Sequence, residues 1–267
     1  MNLFITAAFG SNEILKAAER LESQAKATNI FTRTLIVTES DLKDICPHLF
    51  KWYSHEELNA STGFGFFAWK SAVADAAMSG YWGDFSSVTY LDAGCEIVPG
   101  PRSRRMLKDL ISLAQEKGVV AFNSGCPEWQ YTKSFVWKYF ENISKFDESD
   151  QLMGGVWILS GKIGKKAAVT WNSLVAQSPE MTNNYCKDSP LGFIAPRHDQ
   201  SIFSLVVKSL NIKPLKVKPP FPRKSLISRV YALRFPIWAA RNRTSATTIT
   251  APLRIFSYLL FLPGKLR

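Results

Sequence analysis

Two carboxylates, Asp92 and Glu96, follow the run Val88, Thr89, Tyr90 and Leu91 within Ser87–Val98. The run has the β-branched and aromatic make-up of a buried strand, and Ala93-Gly94 lets the backbone turn or come close to a ligand. Along an extended chain alternate side chains share a face, which would bring Asp92, Gly94 and Glu96 together. Acids at the carboxyl end of a core strand stand where open α/β sheets carry their ligands. The plain structural alternative is an Asp that caps a turn and a Glu in solvent.

Three other places carry groups that could do chemistry. Lys70 follows two glycines among aromatics, Gly63-Phe64-Gly65-Phe66-Phe67-Ala68-Trp69, and with Trp69 could lie beside a nucleotide as a phosphate counter-charge. The bland reading is an aromatic core helix. Glu128 ends the loop Asn123–Glu128, a plausible substrate rim. His198-Asp199 precedes a helical pattern over 201–210, where Asp199 or Ser201 serves either as a cap or as a catalytic or ligand group.

The elements that must hold these groups read as alternating strands and helices. Leu3–Phe9 is a continuous apolar run that suits a strand buried on both faces. Gly10-Ser11-Asn12 follows, and then Ile14, Leu15, Ala18, Leu21 and Ala25 recur at helical spacing. Residues 30–37 read as a second strand, and strand, loop, helix, strand opens a parallel, Rossmann-like sheet. Phe9, Gly10 and Ser11 would then sit at a strand's carboxyl end and a helix's amino terminus, a natural anion or nucleotide site. Further on the pattern predicts helices over 103–117, 132–140 and 165–177, and strands over 119–122 and 151–159.

The 267 residues suffice for a large core. The formal net charge of +11 is unevenly placed: 12 basic residues and no acidic one follow Asn211, leaving 21 basic against 22 acidic residues before it. We therefore divide the chain into a nearly neutral body, 1–212, and a basic tail, 213–267. Lys213–Arg223 is rich in Pro and Lys and reads as a linker. Beyond it Leu226, Val230, Leu233 and Ile237 have helical spacing, and the apolar stretch Ile255–Leu262 lies between Arg254 and Lys265. Basic residues interleaved with aromatic and aliphatic ones suit an anionic membrane surface; a nucleic-acid tail has less use for that apolar stretch. Cys46, Cys95, Cys126 and Cys186 are far apart with no C-x-x-C pair, which argues against a zinc ribbon or disulfide framework and for a reducing compartment. The first apolar run breaks at Gly10 without a basic lead, unlike a signal peptide. The expected location is the cytoplasm, peripheral on the inner face of a membrane.

Five segments in order, GFGFFAWK, YLDAGCEI, PEWQYTK, QLMGGVWILS and RHDQSIFSLV, resemble bacterial and viral glycosyltransferases of the GT-A type, in particular polysaccharide and lipopolysaccharide enzymes. The resemblance spans roughly Asn2 to Leu210. It implies a mostly parallel central sheet with helices on both faces, here with a basic helical tail added. It also implies transfer of a sugar from a nucleotide-sugar donor to a hydroxyl of a glycan or lipid-linked acceptor, assisted by Mn²⁺ or Mg²⁺. By that resemblance Asp92 begins the D-x-D signature, although Gly94 replaces its second Asp; Glu96 would stand in for it, and His198 would complete the metal set. Phe9, Gly10, Ser11, Trp69, Lys70, Asp92, Ala93 and Gly94 would border the donor. Glu128 and Asp199 would be catalytic, with Gln151 and Asp199 on the acceptor side. Two alternatives remain at this stage: a non-enzymatic nucleotide- or nucleic-acid-binding protein that uses the basic tail, and a degenerate transferase kept as a scaffold.

Overall fold

A computed structural model describes residues 1–140, 149–186, 191–216, 219–220, 226–253 and 255. The chain opens with strand β1 (Asn2–Ala7), helix α1 (Asn12–Ala27) and strand β2 (Arg33–Val37). Short pieces α2 (Glu39–Ile45), α3 (Pro47–Trp52), α4 (His55–Ala60) and the distorted turn α5 (Gly63–Phe66) lead to α6 (Trp69–Met78). Strand β3 (Ser87–Leu91) and the two-residue β4 (Glu96–Ile97) flank the Asp92 turn. Then come α7 (Pro101–Lys117), β5 (Val119–Pro127), α8 (Glu128–Tyr131), α9 (Ser134–Trp137), β6 (Asp150–Ser160), α10 (Gly161–Val175), α11 (Asp199–Ser209), α12 (Leu226–Ala232) and β7 (Ile237–Trp238).

The main sheet has the order β2-β1-β3-β6-β5. β1 pairs in parallel with β2 and β3, while β6 runs antiparallel to both β3 and β5. Two reversals restore direction, so β5 points the same way as β3 and β6 is the one reversed strand of the five. The expected α/β architecture, mostly parallel with helices on both faces, is present. Its strands separate two apolar layers by alternation. Leu3, Ile5, Val88, Tyr90, Trp157 and Leu159 meet α6, α10 and α11 on one face. Phe4, Leu91, Val156 and Ile158 meet Leu21 of α1 and Leu107, Leu110 and Ile111 of α7 on the other. Ser11 caps α1 by accepting from the Ile14 amide at 3.3 Å, which fixes where the helix starts after β1.

Two local expectations need correction. Residues 123–127 are not a free loop: β5 continues through them on β6, with register irregularities after Ala121 and Asn123. The helix expected over 132–140 is cut down to the single turn α9; Thr132, between α8 and α9, leaves helical geometry with φ −111° and ψ 125°.

The basic segment is fastened to the body at several of its described residues. Leu215 lies beside Phe122 as a parallel bridge, and its amide donates to the Ala121 carbonyl at 2.9 Å. β7 pairs antiparallel with β4, and Val98 shares an apolar cluster with Leu233, Trp238, Ile249 and Leu253. Of Ile255–Leu262 only Ile255 falls among the described residues, and it is exposed. Among the described residues no helix is long and apolar enough to cross a membrane. None of the four cysteines is in a disulfide.

Candidate functional site

The turn that follows β3 carries Asp92, and two buried donors reach one of its oxygens. Lys70, on the first turn of α6, forms an ion pair with Oδ1 at 2.8 Å, and the Tyr90 hydroxyl donates to the same Oδ1 at 2.7 Å. Tyr90 and Asp92 are two residues apart, so a strand continued by one residue points both the same way. The other oxygen, Oδ2, packs on Gly155 of β6: a Cβ there would come within 2.2 Å of it. The Gly155 carbonyl also accepts from the Asp92 amide at 2.9 Å. Mid-strand glycine marks close approach of another group, and here that group is the carboxylate.

Exposure separates the partners. The Asp92 side chain is 41% exposed, the Lys70 side chain only 4%. Lys70 therefore lies behind Asp92 as its counter-ion, with the Phe67 ring 4.6 Å from its nitrogen, and is not the open phosphate contact expected from its place after Trp69. Burial by itself would lower the Lys70 pKa; Asp92 and then Asp199 outweigh that and raise it, so the ammonium stays charged.

Asp199 opens α11 behind this pair and is 2% exposed. Its Oδ2 is buried without a hydrogen-bond partner, and a Cβ on Gly154 would lie 3.2 Å from it. Burial above all pushes its carboxyl from the ordinary 3.8 up to about 7; Lys70 pulls against the shift and Asp92 adds to it. The preceding His198 has left-handed backbone, φ 51°. Its Nδ1 lies 2.7 Å from the Thr182 carbonyl oxygen, which makes Nδ1 the protonated nitrogen, since a carbonyl only accepts. Its ring leans on Phe66 and Phe67 at 5.6 and 5.9 Å. Chiefly through burial, its pKa falls below the ordinary value, leaving it neutral. Phe64, Phe66 and Phe67 also have positive φ, each a cost of about 1–2 kcal/mol for a residue with a Cβ. The turn is held by the Ser61 hydroxyl accepting from the Gly65 amide and by the Trp69 indole donating to the Gly63 carbonyl at 2.9 Å. Such strain persists only where surroundings impose it, and here it frames the wall behind Asp92.

The remaining expected residues fall elsewhere. Glu96 is fully buried, and its carboxylate accepts from Asn242, from the amide and hydroxyl of Thr248, and from the Thr247 hydroxyl. Arg20 of α1 stands 3.7 Å away as its counter-ion and donates to the carbonyls of Ala93, Cys95 and Asn242. Burial works against ionising Glu96, but these hydrogen bonds prevail and hold its pKa down. Glu96 is thus a structural anchor for the C-terminal segment, because the chain turns at Gly94 and does not continue the extended alternation assumed for it. Gly94 itself faces Arg241: a Cβ would meet the Arg241 Cα at 3.1 Å, and the Gly94 carbonyl accepts from Asn242 at 2.9 Å. The C-terminal backbone occupies the space a second Asp would need.

Glu128 is also fully buried. It pairs with Lys208 and accepts from Ser204 and Thr132. Gln151, equally buried, donates to Thr132 and Ser201 and accepts from Gln200 at 2.9 Å. Both hold α11 against β6, and neither faces an acceptor. Gln200 links this network to the site, its side-chain oxygen accepting from Gly154 at 3.2 Å. Phe9 and Trp69, each 5% exposed, pack edge to face at 4.7 Å within the core. Gly10 and Ser11 are exposed beside them, and Ala93 is half-buried in the Asp92 turn.

The residues present do not fit a resident divalent ion. Among the described residues no three His, Cys, Asp or Glu side chains gather as a metal site; Glu96 is committed elsewhere, and an ammonium already neutralises Asp92.

No protein-family model and no curated protein matches the chain. Among solved structures it is similar to a glycosyltransferase involved in glycosylation of the major capsid of PBCV-1, at 12% identity over 67% of this chain and 68% of that one, with a TM-score of 0.36. It is also similar to mouse xyloside xylosyltransferase 1 in its apo form, at 10% identity over 92% of this chain and 100% of that one, with a TM-score of 0.42. At such scores these likenesses carry no argument about the site.

Proposed function

We propose that the chain is a glycosyltransferase that moves a sugar from a nucleotide-sugar donor to a hydroxyl of a glycan or glycolipid acceptor. The observation that carries this is Asp92: a half-exposed carboxylate at the carboxyl end of a central strand, fixed by Lys70 and Tyr90 from below and by Gly155 from the side. A carboxylate so fixed accepts hydrogen bonds from the hydroxyls of a bound ribose or sugar without reorganising. In the transfer, the acceptor hydroxyl oxygen bonds to the anomeric carbon, the bond to the nucleoside diphosphate breaks, and the diphosphate leaves with the electron pair and takes up the proton that the hydroxyl gives off.

Lys70 keeps the cluster from repelling that leaving charge, and the exposed amino end of α1 at Gly10-Ser11 adds a favourable dipole. Asp199, protonated below about pH 7, sets the net charge of the cluster as a positioning residue; at 2% exposure it is not laid open to an acceptor. No step is assigned to a metal ion.

The test is a thermal-shift panel of UDP-, GDP- and CMP-sugars, with Mn²⁺ or with a chelator, on the wild type and on Asp92→Asn. One donor is expected to raise the wild-type Tm with the chelator present and to leave Asp92→Asn unmoved. No shift from any donor, or equal shifts in both proteins, would overturn the reading. Salt-dependent binding to RNA or DNA without any donor response would favour the nucleic-acid alternative.

A further inference from the structure

A groove of about 900 Å³ runs between the C-terminal half of α1, the first turns of α7 and the C-terminal segment. Its α7 wall presents Arg104, Arg105 and Lys108, all exposed. Among the described residues none of the three forms an ion pair, and no Asp or Glu lines the groove. They stand on the first two turns of a 17-residue helix whose N-cap, Gly100, provides no capping side chain, so the helix dipole adds to their charge. The rest of the lining includes apolar Ile97, Val98 and Ile249. Cations beside an apolar strip, with no counter-carboxylate, match the phosphate of a lipid headgroup together with its glycerol and first methylenes.

We infer that this groove seats an anionic phospholipid, docking the α1/α7 face on a bilayer. Charge complementarity favours that occupant over the chain's own end, since residues 254–267 contain Arg254, Lys265 and Arg267 and no acid. The sequence of that end supports the bilayer as well. The apolar run 255–262 begins two residues after Leu253, which is buried in one cluster with Val98 and Ile249. An apolar sequence that follows directly on that cluster would add interfacial burial to phosphate contact. The site does not involve Asp92, so it stands or falls apart from the proposed transfer.

The experiment is flotation of the full chain with vesicles of phosphatidylcholine alone or mixed with phosphatidylglycerol, at low and high salt. The wild type is expected to float with the mixed vesicles at low salt only. Each cation near an anionic surface is worth about fivefold in partitioning, so the triple variant Arg104→Gln/Arg105→Gln/Lys108→Gln should lose about a hundredfold. Arg104→Lys/Arg105→Lys keeps the charge and should float like the wild type. Circular dichroism and the melting temperature without ligand check that the fold is intact. Equal flotation of wild type and triple variant, or equal binding to both vesicle types, would overturn the inference. So would stabilisation by soluble glycerol phosphate, or RNA binding sensitive to the same substitutions, without flotation.

Discussion

Asp92 has little freedom, with two donors on one oxygen and a glycine against the other, and the titration of its neighbour decides how much charge it presents. The folded protein holds the Asp199 proton more tightly than the unfolded chain does. That contribution to stability is therefore complete below the ordinary 3.8 and is lost as pH rises to about 7. Above that value the cluster gains a negative charge beside the place proposed for the diphosphate. Donor Kd should rise as pH passes through about 7 and stay flat in Asp199→Asn; calorimetric titration at several pH values checks this, and a pH-independent wild type would contradict it. Asp92 was legible because an acid after an apolar run is conspicuous. Tyr90 was legible in principle through the two-residue strand period that puts it beside Asp92. The burial of Lys70, Glu96 and Glu128 was not, because a charged side chain in sequence shows neither its depth nor its counter-ion.

At the scale of elements, the site depends on β6 crossing behind the β3 turn. Gly154 and Gly155 leave room there for Asp199 and Asp92, and paired glycines inside a strand pattern were the one sequence signal for that crossing. Gly155→Ala puts a methyl 2.2 Å from Oδ2. It should cost about 1–3 kcal/mol and weaken donor binding more than Asp199→Asn does. Chemical denaturation and the thermal-shift panel measure the two effects. The strained turn at 63–67 was visible only as aromatics between glycines; its left-handed run depends on the Ser61 and Trp69 hydrogen bonds, which no pattern of residue types displays. Similarly, Asn123–Cys126 looks like a loop by composition, yet it continues β5 because β6 supplies a partner far away in sequence.

For the whole molecule, the alternation of apolar runs and helical periods carried the sheet correctly, since burial on both faces imposes it. It did not carry the reversed direction of β6, nor the docking of the basic segment. Beyond residue 238 that docking has a buried anion at its centre: Glu96 gathers Arg20 and three residues from 242–248. Glu96→Ala leaves the Arg20 charge buried without its counter-ion, at a cost of about 3–5 kcal/mol. Limited proteolysis should then cut beyond residue 238 sooner than in the wild type, while added Mn²⁺ makes no difference to either protein's stability. Unchanged cleavage would mean that β7 and the apolar cluster of Val98, Ile249 and Leu253 hold the segment without Glu96.

Beneath the site, the Tyr90 ring stacks on Trp157 with centroids 4.8 Å apart and planes 15° from parallel. The indole lies at the middle of the sheet, fully buried, and the phenol on top of it holds Asp92. Any ligand that pulls on the carboxylate must shift the dipole lying over that indole. The difference in emission between the wild type and Trp157→Phe, which separates this indole from the other seven tryptophans, is therefore expected to change when the Asp92 turn is occupied.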